Sequence, residues 1–166
     1  MATPDVVTFV VPGKAIPKVR MTQRSKWSKL AKRCLEYQGS VGTRAWCAVQ
    51  DDGRPEPPLA ILLEFSFADR RRRDLDNLAK TVLDGMQPAM IDDDSTKFVR
   101  QLVITVDHVA PGEEQVRVTL ISLLPDEETP DDLVPGNPAP APPLRPEVTK
   151  NLPPHVREAI KRGARK

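Results

Sequence analysis

Ten of the eighteen prolines fall after Leu124. Proline fixes its own backbone and donates no amide hydrogen bond, so the stretch "PGNPAPAPPLRP" that begins at Pro135 cannot run through a helix or a sheet and reads as an extended linker. It is preceded by an acidic patch of Asp126, Glu127, Glu128, Asp131 and Asp132. A packed core is therefore confined to residues 1–124, and residues 125–166 are expected to form a disordered tail. Within that tail "PPHVREAIKRGARK" predicts at most one short basic helix, over 153–162, with Val156 and Ile160 on one side. Nothing in its composition names a partner. The overall hydrophobic content of 39% suits a chain of which part does not pack.

The first 124 residues mix both periodicities. "VVTFVV" at Val6–Val11 is a β-branched strand closed by Pro12 and Gly13. From Trp27 to Val49, apolar residues recur near helical spacing, with Gly39 and Gly42 as candidate breaks. "AILLEFSFA" then puts Ile61, Leu63, Phe65 and Phe67 on one face of a strand, and Leu75, Leu78, Val82, Leu83 and Met86 form a helical stripe. "FVRQLVITVDHV" and "EQVRVTLISLL" read as two more strands around Pro111-Gly112, which predicts an antiparallel hairpin. The expected class is α+β: a small mixed or antiparallel sheet packed with two main helices, and no internal repeat.

The formal net charge of +2 conceals a strong asymmetry. Pro12 to Arg33 carries Lys14, Lys18, Arg20, Arg24, Lys26, Lys29, Lys32 and Arg33 without one acid, a local polycation. No apolar run approaches the ~18 residues of a membrane span, and the N-terminus lacks the apolar region of a secretion signal, so a cytoplasmic protein is expected. Cys34 and Cys47 fit no metal spacing and read as reduced, semi-buried thiols.

The densest charge lies in "DRRRRDLDNLAKTVLDGM", Asp69 to Met86, at the junction between the third predicted element and the helix that follows it. Asp74 or Asp76 can cap that helix, since a carboxylate accepts the free amides of a first turn. Asp76, Lys80 and Asp84, at successive i, i+4 positions, can be an ordinary exposed ion-pair ladder. A second acid cluster, Asp92, Asp93 and Asp94 in "IDDDS", follows the helix, and a return through Pro88 can bring it beside Asp74 and Asp76. Convergent carboxylates cannot all stay ionised without a cation, and hard oxygen donors with no histidine nearby select Mg²⁺, or Mn²⁺ in its place, over Zn²⁺. With Arg70, Arg71, Arg72 and Arg73 beside it and the cationic segment facing it, such a site suits a phosphodiester.

"DRRRRDLDNLAK", the later Asp84 and "IDDD" together resemble the signature of the RusA family of Holliday junction resolvases of bacteria and prophages, and the "VPGKAIPKVR" opening is similar to that of many members. The resemblance spans residues 1–124 and leaves out the tail. It implies a small α+β homodimer that resolves four-way DNA junctions in recombination and repair by paired Mg²⁺-dependent nicks. It also implies Asp74 and Asp76 as metal ligands and Lys80 as the residue that stabilises charge on the phosphate or positions water. The third essential acid comes from the aspartate trio, where the family commonly has a pair; Asp93 is the expected choice and Asp94 the alternative. Asp84 is expected in a supporting role. Lys14, Lys18, Arg20, Arg24, Lys26 and Arg70 to Arg73 are the expected DNA contacts. The competing readings are a flap or branch-specific nuclease of the same fold, a non-catalytic DNA-binding protein and a small-substrate phosphatase.

Overall fold

A computed structural model describes residues 4–20, 22, 27–87 and 89–123. The proline-rich tail with its short basic helix, and the candidate DNA contacts Arg24 and Lys26, lie outside the described residues. The described chain is α+β: β1 (Val6–Pro12), α1 (Lys29–Asp52), β2 (Leu59–Phe67), α2 (Leu75–Met86), β3 (Val99–His108) and β4 (Gln115–Ser122). The four strands form one sheet in the order β1-β4-β2-β3.

Strand β2 holds an interior position because its residues are apolar on both faces: Leu59 to Leu63 are all buried. It pairs antiparallel with β4, Leu63 opposite Val118, and parallel with β3, Leu63 opposite Ile104. The expected β3–β4 hairpin is therefore not formed. A parallel β2–β3 pair needs a crossover, which α2 supplies, and the short link from β3 to β4 then steps across the end of β2. Two hydrogen bonds fasten that step: Val109 N donates to Phe67 O at 3.0 Å, and Gly13 N donates to Glu114 O at 2.7 Å. The Pro111-Gly112 signal marks a bend within the link, where Gly112 takes φ +92°.

Helix α1 starts where Ser28 Oγ accepts Ala31 N at 3.1 Å and runs unbroken through Gly39 and Gly42 to Gly53. The expected breaks are absent because the stripe Ala31, Cys34, Tyr37, Val41, Ala45 and Ala48 is continuous and anchors the helix on both sides of them. Gly42 serves packing instead: a Cβ there would stand 3.0 Å from Gly85 O. At Gly85, on α2, a Cβ would lie 2.7 Å from Val41 Cβ and 2.9 Å from Gln38 O. The two helices thus cross with their backbones in contact. Cys34 is buried and Cys47 exposed, both free thiols, so only one of the pair is covered.

Both helices cover one face of the sheet. Val41, Leu78 and Val82 meet Phe9, Val11, Ile61, Leu63, Phe65, Phe67, Val116, Val118 and Leu120 there, each large side chain contributing about 1.5–3 kcal/mol of burial. On the other face Ala60, Leu62, Ile121 and Leu123 form a second, smaller cluster, with Val6 and Val103 packed against it. Among the described residues no helix is long and apolar enough to cross a membrane.

Candidate active site

The junction between β2 and α2 is organised by Asp69. Its carboxylate accepts Lys14 Nζ at 2.8 Å, Arg71 N at 3.0 Å and Arg73 Nη2 at 2.6 Å. The Lys14 bond, followed by the Arg71 amide and Arg73, holds this carboxyl far below the usual carboxylate range. Arg73 also stacks over the Phe67 ring, 3.8 Å from its centroid, and donates to Arg71 O at 2.9 Å. The arginine run is thereby divided. Arg73 is folded back onto the protein, while Arg70, Arg71 and Arg72 are exposed.

Asp74 caps α2. Its Oδ1 accepts Asp76 N at 3.2 Å and Asn77 N at 3.5 Å, and its Oδ2 accepts Asn77 Nδ2 at 2.7 Å. These bonds fix the orientation of the carboxylate and leave lone pairs pointing outward, because the two oxygens offer about four acceptor sites between them. Asp76, in the first turn, is exposed. Arg72, Arg73, Asp74, Leu75 and Asp76 line an open depression of about 470 Å³.

One turn beyond Asp76, Lys80 reaches across to the aspartate trio. Its ammonium is ion-paired with Asp94 Oδ2 and lies 3.4 Å from Asp84 Oδ1. The Asp94 bond raises the Lys80 pKa and Lys80 lowers that of Asp94, so both stay charged. The other two acids of the trio turn elsewhere: Asp92 pairs with Arg54 Nη2 at 2.7 Å, and Asp93 is exposed, its Oδ1 accepting Asp94 N at 2.8 Å. Arg54 further donates to Met90 O at 3.0 Å, which fastens the return loop to the end of α1.

Asp84 stands behind Lys80. It accepts Lys18 Nζ at 2.5 Å and Gln38 Nε2 at 3.3 Å, and Lys18 N donates to Asn77 O at 2.8 Å. Lys14 and Lys18, both expected as DNA contacts, are thus held in ion pairs that join the segment after β1 to the β2–α2 junction and to α2, and Arg20 is exposed.

The structure therefore brings Lys80, Asp84 and Asp94 together and sets Asp74 and Asp76 at the arginine-lined mouth of the same helix. Among the described residues no three His, Cys, Asp or Glu side chains form a group arranged to hold a metal ion. The side chains gathered here offer only carboxylate oxygens, donors of the kind a hard divalent cation takes, and the Lys80 ammonium occupies the space between Asp84 and Asp94. Sequence reasoning missed Asp69, Arg54 and Gln38. Asp69 carried a signal, its i, i+4 spacing to Arg73; Gln38 carried none.

The sequence model of a family described as Endodeoxyribonuclease RusA matches residues 12–121, about two thirds of the chain. No curated protein matches it.

Proposed function

The chain belongs to the RusA endodeoxyribonuclease family, and on that premise we propose that it is a Mg²⁺-dependent nuclease that nicks branched DNA, four-way junctions above all, as a homodimer acting in recombination and repair. The observation that carries this reading is the placement of Lys80: a cation held between Asp84 and Asp94, one turn beyond Asp76 on the helix that the exposed Arg70, Arg71 and Arg72 precede.

In this reading the three exposed arginines receive the phosphodiester backbone, and the depression at Asp74 and Asp76 admits the scissile phosphate. Asp74, Asp76 and Asp94 would hold the metal, with Asp93 outside the ligand set; its exposure and the orientation of Asp94 toward Lys80 favour that choice. When bound, Mg²⁺ supplies Lewis-acid polarisation of the phosphate. Lys80 has two alternative carboxylate partners. Released from Asp94, its ammonium stays tethered by Asp84 and is free to donate to the phosphate oxygens as negative charge builds on them. Lys18 and Gln38 keep Asp84 in place for that role. Asp74, with its rotamer fixed by the helix cap, presents its remaining lone pairs without further ordering cost.

The test is strand scission of a synthetic four-way junction, a flap and a plain duplex, each with Mg²⁺ and with a chelator. Symmetric nicking of the junction that the chelator abolishes is expected. Preference for the flap would move the substrate to another branched form, and binding without scission under Mg²⁺ or Mn²⁺ would reduce the protein to a DNA-binding module.

A further inference from the structure

The sheet ends on an unguarded strand. β3 pairs with β2 along one side, and its other side has no strand partner among the described residues. Edge strands are ordinarily kept short, or interrupted by proline or lysine, because their row of open backbone donors and acceptors templates another strand. The opposite edge obeys that rule: β1 is seven residues long and closes on Pro12, which has no amide hydrogen to donate. β3 is ten residues long, with no Pro, Gly or Lys between Val99 and His108. Its one irregularity is the register shift at Leu59/Ala60, and from Gln101 to His108 the ladder is regular. Two of its apolar side chains stand open, Leu102 at 40% and Val106 at 44% exposure.

We propose that β3 pairs antiparallel with β3 of a second copy about a two-fold axis at Ile104, joining the two sheets into one. Opposed residues of an antiparallel pair share a face. Leu102, Ile104 and Val106 stand beside Ile61, Leu63 and Phe65 of β2, hence on the face the helices cover, while Gln101, Val103, Thr105 and Asp107 lie on the outer face. With the axis at Ile104, Leu102 meets the partner's Val106, Ile104 meets the partner's Ile104, Val103 meets the partner's Thr105, and Gln101 meets the partner's Asp107. The two open apolar side chains then cover each other twice, once on each side of the axis. The Gln101 amide donates to a carboxylate that keeps acceptor sites beyond the one His108 N fills at 2.8 Å. Neighbouring registers lose this match. An axis at Val103 sets Val106 against Arg100, and one at Thr105 sets Leu102 against His108 and Asp107 against Val103. The interface rests on the homodimer part of the function proposed above and makes no use of its chemistry.

Sedimentation equilibrium on the full chain and three variants tests it. The unmodified protein is expected to be a dimer. Leu102→Lys and Val106→Glu each set a charge against an apolar side chain and should weaken the dimer roughly tenfold or more. The double variant Leu102→Lys/Val106→Glu sets lysine against glutamate twice and should recover most of the loss. Within one chain the two positions lie about 13 Å apart along the strand, too far to pair with each other, so recovery reports contact between copies. Hydrogen exchange on the unmodified protein needs no variant to fold: amides within 101–107 should lose protection on dilution into the monomer range while those of β4 keep theirs. A monomer at every concentration, a dimer that both single variants leave intact, or no recovery in a double variant of native circular dichroism overturns the interface. Exchange within 101–107 that ignores dilution overturns it too. None of these readouts involves DNA, so failure of the nuclease reading would show separately, in the scission of branched substrates.

Discussion

Lys80 of α2 is ion-paired with Asp94, fourteen residues later, in the loop that leads into β3. Both side chains are partly exposed, so their attraction adds little to folding, on the order of 1 kcal/mol or less. Lys80→Ala should therefore leave the melting temperature nearly unchanged. If the ammonium stabilises the phosphate in flight, cleavage should fall by about a hundredfold or more while junction affinity holds. Paired gel-shift and nicking assays measure the two effects; equal loss of binding and cutting would make Lys80 a DNA contact instead.

Asp93 and Asp94 should separate cleanly. Asp94→Asn is expected to abolish nicking and Asp93→Asn to retain most of it, because Asp94 faces Lys80 and Asp93 faces solvent. The same nicking assay, with Mg²⁺ titrated to saturation, compares them. The reverse result would restore the preference for Asp93 drawn from spacing.

Two variants divide the capping role of Asp74 from any role in cleavage. Asparagine is nearly as good a cap as aspartate, whereas alanine at this position costs about 1 kcal/mol. Asp74→Asn should keep its thermal stability and lose cutting; Asp74→Ala should lose both. Thermal unfolding alongside the nicking assay resolves them.

Asp69 makes stability sensitive to acid. Lys14, the Arg71 amide and Arg73 hold its folded-state pKa below the unfolded value, so its contribution is fully present above the unfolded carboxylate range and disappears as pH falls toward the depressed folded value. Asp69→Asn should lower the melting temperature at pH 7, and the gap to the unmodified protein should close as pH drops below about 4. Calorimetry across that range gives the curve; a constant gap would assign the loss to packing.

The glycines of the helix crossing have opposite expectations. At Gly85 an added methyl meets Val41 and the Gln38 carbonyl, and overpacking of that kind costs about 1–3 kcal/mol. At Gly39 a methyl meets nothing within 4 Å in the middle of α1, so Gly39→Ala should stabilise by about 0.5–1 kcal/mol. Chemical denaturation of the two variants tests both signs.

Much of this architecture was legible in the chain. The alternation in Ile61 to Phe67 marks the inner face of β2, and the capping aspartate and leucine stripe mark α2, because each is a local pattern with a local cause. Strand order was not legible. The Pro111-Gly112 turn looked like a hairpin from within its own window, and only β2, buried on both faces, explains why the link after β3 crosses its end and β4 pairs on its other side. The arginine run shows the same division. Its charge is plain in the sequence, but Phe67 and Asp69 decide that Arg73 turns inward while its three neighbours do not. Likewise, a row of three aspartates looks uniform until Arg54 takes one and Lys80 another.

Asp84 gathers contacts from Lys18, Gln38 and Lys80, so the segment after β1, helix α1 and the preceding turn of α2 close on a single carboxylate. Removing that one carboxylate would loosen both tertiary ties, from Lys18 and from Gln38, and take away the anchor that Lys80 finds one turn along its own helix.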